Sequence, residues 1–275
     1  MEHSQSLLET VTAALAPVRG VRAVVLGGSR GRGVHVAGSD YDIGLYYSGD
    51  LDIAALEDAA QTLTGGAAAP LMTQTGWWGA WVDGGGWLTV DGEPVDILYR
   101  NLDRVDRVIG EVTRGEFTCA YHYGHPHAFV SHMYAGEIAT CRALHDPEGL
   151  VAARKAQLTP YPPALRRAVI ARFTDEARFF LLVAQKGAKR GDIVYVNGCL
   201  FRAASCLLQA IFAINNEWLL NEKGALALAT TFARKPNDLR LRMESAFADC
   251  ATGPEWLLRA LGTLGDLADE TSALA

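Results

Sequence analysis

Apolar and polar positions along the chain change their period near its middle. Apolar residues at helical spacing predict an amphipathic helix over roughly 5–16. Two short β-rich runs follow, Arg22–Gly27 and Asp42–Tyr47. A helix is then expected near Ile53–Thr64, with Asp50 or Asp52 as its cap, and a loop over Gly65–Pro70. Trp77–Arg100 alternates apolar residues with glycine turns, which reads as a β-meander, and Asn101–Gly115 as a charged helix. After Pro147 the strand signals mostly vanish. Helical patterns run near 148–157, 163–186, 195–214, 222–233, 238–249 and 255–270, broken by Tyr161-Pro162-Pro163, Arg190-Gly191-Asp192, Asn215-Asn216 and Lys235-Pro236-Asn237. The expected class is therefore α+β: an N-terminal mixed-sheet domain with flanking helices, then a C-terminal all-α bundle. The boundary falls between about 126 and 150 and is drawn as 1–126 and 127–275.

With 275 residues, 49% hydrophobic and 20% charged, the chain has ample material for a core. No apolar run reads as a bilayer span, and Met1-Glu2-His3-Ser4 lacks a basic segment ahead of an apolar one. No membrane partner and a cytoplasmic location are expected. The five cysteines (119, 141, 199, 206 and 250) are odd in number without a close-set pair, so they read as small buried residues. Charge is uneven. Residues 1–126 carry 8 Lys and Arg against 16 Asp and Glu, a net of −8; the remainder carries 17 against 15, a net of +2. An acidic front half argues against a nucleic-acid partner and suits a site that collects cations.

The candidate chemistry lies in that acidic half. An apolar strand ends in Gly27-Gly28-Ser29, Asp40-Tyr41-Asp42 follows, and Val95-Asp96-Ile97-Leu98 places a further carboxylate in an apolar run. Asp40 and Asp42 are two apart on an extended segment and so share a face. Adjacent carboxylates repel unless a cation or a proton intervenes. Mg²⁺ accepts one or two protein carboxylates and completes its shell with water and phosphate oxygens, and Asp96 would complete a two-metal site. The Gly-Gly-Ser turn lets backbone amides and a hydroxyl approach phosphate. Either motif alone is common on turns and exposed strands. Together, at this spacing, they point to phosphoryl or nucleotidyl chemistry.

This constellation resembles the signature of the DNA-polymerase-β-type nucleotidyltransferase superfamily, nearest to its small-substrate branch of antibiotic nucleotidyltransferases. The match covers roughly residues 21–100. The resemblance implies that Ser29, with Gly28, binds the triphosphate and that Asp40 and Asp42 hold Mg²⁺. It makes Asp96 a metal ligand, a general base, or both. It also implies ATP or another nucleoside triphosphate as co-substrate. Helical second halves in this branch supply acceptor-binding and sometimes triphosphate-binding groups. The stretches Gly124-His125-Pro126, Leu144-His145-Asp146-Pro147 and Asn215 through Lys223 resemble segments of bacterial members. The expected activity is transfer of a nucleoside monophosphate to a hydroxyl of a small molecule, with antibiotics as one acceptor class. Nucleotidylation of a protein or tRNA, or a non-catalytic nucleotide-binding regulator, are the alternatives. A homodimer is plausible by analogy alone.

Other groups carry weaker signals. Among Lys186, Lys189, Arg190 and Lys223, Lys223 is the preferred phosphate partner because it follows an aromatic loop containing Trp218 and opens a helical pattern. Glu137, Asp175 and Glu176 are alternative bases to the favoured Asp96. His122, His125, His127 and His132 crowd together without partner cysteines, which favours structure or a cleft-lining loop over zinc. Trp77, Trp78, Trp81 and Trp87 read as core and edge packing ahead of a stacking surface for a base or sugar.

Overall fold

The computed structural model describes residues 2–36, 38–250 and 253–275, so Met1 of the N-terminal stretch read above lies outside it. In chain order the first elements are α1 (Glu2–Leu15), β1 (Val21–Leu26), α2 (Gly28–Gly31), β2 (Tyr41–Tyr47), α3 (Ile53–Leu63), β3 (Gly85–Val90) and β4 (Glu93–Asn101). There follow α4 (Leu102–Thr113), β5 (Cys119–His122), β6 (His125–Val130), α5 (Met133–Thr140), β7 (Arg142–His145) and α6 (Leu150–Gln157). The last are α7 (Pro163–Lys189), α8 (Ile193–Ile214), α9 (Ala225–Ala229), α10 (Leu239–Asp249) and α11 (Pro254–Ala273). The protein is α+β, with a mixed five-stranded sheet and a helical C-terminal region.

The chain forms two compact units, Met1–Glu111 with Ser131–Pro160, and Val112–Val130 with Tyr161–Ala275. The first holds the five-stranded sheet in the order β3-β4-β2-β1-β7. The β2–β4 pairing is parallel, and the other pairings are antiparallel. Alternation along the strands sorts two faces. Val24, Leu26, Tyr41, Ile43, Leu45, Val95, Ile97 and Tyr99 point into one core with Leu7, Leu8, Val11 and Leu15 of α1 and Leu56 and Ala60 of α3. Asp52 caps α3, accepting from Ala55 N at 3.1 Å.

Two expectations need correction. The Trp77–Arg100 segment is a single β3–β4 hairpin turned at Asp91-Gly92, not a meander; both turn residues have positive φ, 52° and 82°, as a twisted two-residue hairpin turn requires. The preceding loop is held instead by the Glu57 carboxylate, which accepts from Leu71 N and Met72 N at 2.9 and 2.8 Å. The helix expected over 222–233 is only Ala225–Ala229.

The second unit is built on the α7–α8 helical hairpin with α11 against it, and also holds the β5–β6 hairpin. By length and composition α8 is apolar enough to cross a bilayer, contrary to the reading of the sequence, but 78% of that stretch is buried inside the protein. It is a core helix. All five cysteines are free.

Candidate active site

At the end of β1 the chain turns sharply against β2. Gly27 N donates to Asp42 O at 2.8 Å, extending the β1–β2 ladder by one bond. Gly28 then adopts φ +56°, and a Cβ there would lie 1.7 Å from Asp42 Oδ2. Only glycine allows the backbone to lie against that carboxylate while turning left-handed. Ser29 follows, half-buried, in the four-residue α2. Arg30 fastens the turn to the strand it faces. Its guanidinium sits 3.7 Å above the centre of the Tyr41 ring, and its Nε donates to Ser39 O at 3.0 Å. This brackets Asp40 between two anchored neighbours.

Asp42 and Asp96 are register partners in the parallel β2–β4 pairing. Both are half-buried and both point away from the core formed with α1 and α3, because Tyr41, Ile43, Val95 and Ile97 occupy the other face. Adjacent strands are about 4.8 Å apart, so the two carboxylates are immediate neighbours on one face. Asp40 precedes β2 by one residue and is also half-buried. The structure therefore brings Gly28, Asp42 and Asp96 together, with Ser29 and Asp40 on the flanking turns. Among the described residues no three His, Cys, Asp or Glu side chains converge as a metal-ligand cluster.

Further along the same face, Arg100 is 5% exposed and forms a two-pronged pair with Glu137 of α5, at 2.6 and 2.7 Å. Burial opposes the charge on Arg100, but Glu137 outweighs it and raises the guanidinium pKa. Glu137 is thus held by a buried cation, which removes it as a candidate base. On the α1 side of the turn, a cleft of about 1000 Å³ is lined by Arg30, Arg32, His35 and Arg142, with Glu9 the one acidic residue among the described lining residues.

Lys223 belongs to the second unit. It is exposed, in the turn ahead of α9 rather than in the helix, and its N–H donates to Asn221 Oδ1 at 2.8 Å. Trp218 is buried at 7% exposure against Tyr161, with ring centres 4.5 Å apart. The neighbouring Glu222, which the sequence did not single out, is the more constrained residue. One carboxylate oxygen accepts from His127 N and Ala128 N at 3.0 and 3.4 Å; the other lies 3.2 Å from His125 Nδ1. Lys186, Lys189 and Arg190 sit at the C-terminal end of α7, where the helix dipole favours cations. Asp175 is exposed, and Glu176 pairs with Arg202 at 3.3 Å. His122, His125 and His127 lie on the β5–β6 hairpin, whereas His132 caps α5 in the first unit.

Residues 130–224 match the model of a family described as a domain of unknown function, DUF4037. No curated protein matches the chain. A crystal structure of a nucleotidyltransferase-like protein from Exiguobacterium sibiricum 255-15 aligns over 98% of this chain and 77% of its own, with 10% identity and a TM-score of 0.47.

Proposed function

We propose that the protein is a Mg²⁺-dependent nucleotidyltransferase that moves a nucleoside monophosphate, AMP from ATP, onto a hydroxyl of a small molecule, antibiotics being one such class. The observation that carries this reading is the side-by-side register of Asp42 and Asp96 with the Gly28 backbone against Asp42.

Two half-buried carboxylates held in register repel, and a cation between them relieves the repulsion. Mg²⁺ takes one or two protein carboxylates when substrate phosphates complete its shell, and the pair supplies them. Asp42 and Asp96 fit it, and Asp40 adds a third acid two residues before Asp42. When bound, Mg²⁺ would neutralise phosphate charge and make the acceptor hydroxyl more acidic. The Gly28-Ser29 turn presents backbone N–H groups and a hydroxyl to the triphosphate, and the arginine-lined cleft beside it adds positive potential. Lys223 is the candidate cation for the β- and γ-phosphates.

In the reaction the acceptor oxygen attacks the α-phosphorus in line. The new O–P bond forms as the bond to the β-bridging oxygen breaks, and pyrophosphate leaves. The hydroxyl proton passes to a carboxylate, Asp96 being the favoured acceptor. The test mixes the protein with Mg²⁺, α-labelled ATP, hydroxylated antibiotics, purified tRNA and cell protein. Label on a small molecule, abolished in Asp42→Ala, is the expected result. Label on protein or tRNA would replace the proposed acceptor class, and ATP binding without transfer would make the protein a regulator.

A further inference from the structure

The row across the sheet that begins at Gly27 does not stop at the carboxylates. Asp42 is partnered with Asp96, and Asp96 is partnered with Trp87 on the edge strand β3. Directly opposed residues in a sheet share a face, so the Trp87 indole stands beside Asp96. Its neighbour Leu88 points the other way, into the core.

Trp87 is 67% exposed, so most of its indole faces outward from the sheet edge. Yet it is held in place. Its ring stacks on that of Trp78, with centres 4.6 Å apart and planes at 26°, and Trp78 is 9% exposed. Trp78 in turn lies over Gly85, where a Cβ would sit 3.1 Å from its ring and 1.8 Å from Ile97 O. A glycine in the strand thus makes room for the lower indole, and the lower indole fixes the upper one. The result is a rigid, outward-facing aromatic surface roughly 10 Å, two strand spacings, from Asp42.

We infer that Trp87, backed by Trp78, is the platform on which the acceptor sits. This rests on the nucleotidyl-transfer reading of the same face. The triphosphate lies toward Gly28 and Ser29, at one end of the row, and Trp87 stands at the other end, beyond Asp96. An indole face takes the flat face of an aromatic ring or the C–H face of a sugar or cyclitol ring. The platform therefore selects a cyclic alcohol whose hydroxyl projects toward Asp96, over a flexible chain such as a serine side chain.

Saturation-transfer NMR on the full chain tests this, with phenyl β-D-glucoside as the ring probe and glycerol as the ringless control. The wild type should transfer saturation to the glucoside and not to glycerol. In Trp87→Ala the glucoside affinity should fall by roughly two- to tenfold, the range for loss of an aromatic contact. Trp87→Phe should restore most of it, and Mg-ATP affinity should stay within about twofold in both variants. Thermal melts of both variants check that the fold is intact. Equal transfer to both probes, or an unchanged glucoside signal in Trp87→Ala, overturns the platform. So does a loss of Mg-ATP affinity in Trp87→Ala, which would give the indole to the donor's base. Failure of the transfer reading looks different: the wild type itself would not bind Mg-ATP.

Discussion

Asp42 and Asp96 meet in register across the one parallel pairing of the sheet, each with apolar neighbours that turn to the opposite face. Separated by more than fifty residues in sequence, they become nearest neighbours because β2 and β4 run the same way. Like charges so placed repel one another, and a bound cation relieves that repulsion. Asp42→Asn and Asp96→Asn should each lower nucleotidyl transfer by about a hundredfold or more, the loss expected when several kcal/mol of transition-state stabilisation disappears. The loss of activity should outrun any change in their thermal midpoints without metal. Calorimetry alongside labelled-ATP turnover measures both. A variant that melts lower and stays active would leave the pair a structural role only.

The Gly28 turn gives a second, sterically defined expectation. Gly28→Ala places a methyl 1.7 Å from Asp42 Oδ2 at φ +56°. The left-handed backbone alone costs about 1–2 kcal/mol for a non-glycine residue. The carboxylate must also move, so Mg-ATP affinity should fall further than stability does. Gly49→Ala is the control, since it shares a positive φ, +65°, has nothing within 4 Å of its Cβ and lies outside the arginine-lined cleft. It should lose stability with ATP affinity preserved. Titration of Mg-ATP into both variants, with urea melts, separates the two effects.

The contrast between legible and hidden elements follows from their physics. Helices such as α7 and α8 are long and periodic, so they could be read to within a few residues, and the Gly-Ser turn with its two acids was visible because its residues are local. The pairing of β2 with β4 was not, because register between distant strands is decided by packing and not by spacing. The segment 116–147 hid β5, β6, α5 and β7, strands of four to six residues and a helix of eight, too short for a period to emerge. The loop before β3 resembled strand because its order comes from single buried carboxylates. Asp83, 4% exposed, accepts from the Tyr47 hydroxyl at 3.1 Å and pairs with Arg104 at 2.5 Å. Such hubs leave no pattern in sequence.

His127 makes the stability of the second unit depend on pH. The side chain is 4% exposed, and burial, aided by nearby Arg202 and opposed by Glu222, pulls its pKa down to about 4. An unfolded histidine titrates near 6.5. Between these values the unfolded chain binds a proton that the folded chain refuses, so stability is full above about pH 6.5 and falls as pH drops toward 4. The maximal loss is on the order of 3 kcal/mol. Urea denaturation from pH 7 to pH 4.5 should show it. The His127→Gln variant, which cannot take up the proton, should have a flatter profile over the same window. Identical slopes for the two proteins would exclude His127 as the source.

Glu222 offers the last expectation, and it concerns how Lys223 is presented. The carboxylate is 12% exposed and joins the turn ahead of α9 to the edge of β6 through His127 N, Ala128 N and His125. Burial raises its pKa, but the His125 contact and the backbone donors prevail and the net shift is downward. It stays ionised, held by the hairpin and by its own backbone N–H. Glu222→Ala strands two backbone donors and should cost about 1–3 kcal/mol. Lys223→Ala removes an exposed side chain and should leave stability within about 0.5 kcal/mol. If Lys223 meets the triphosphate, its loss should raise the KM for ATP about tenfold, the effect of one weakened charge-assisted contact. Glu222→Gln should raise KM less, with kcat nearly intact, because the amide still accepts from the backbone but loses the charged pairing. Hydrogen exchange at residues 219–225 should quicken in Glu222→Gln and stay unchanged in Lys223→Ala. In the Lys223→Ala background, adding Glu222→Gln should then raise KM no further. Additive effects in that double variant would mean that Glu222 acts on the turn without acting through Lys223.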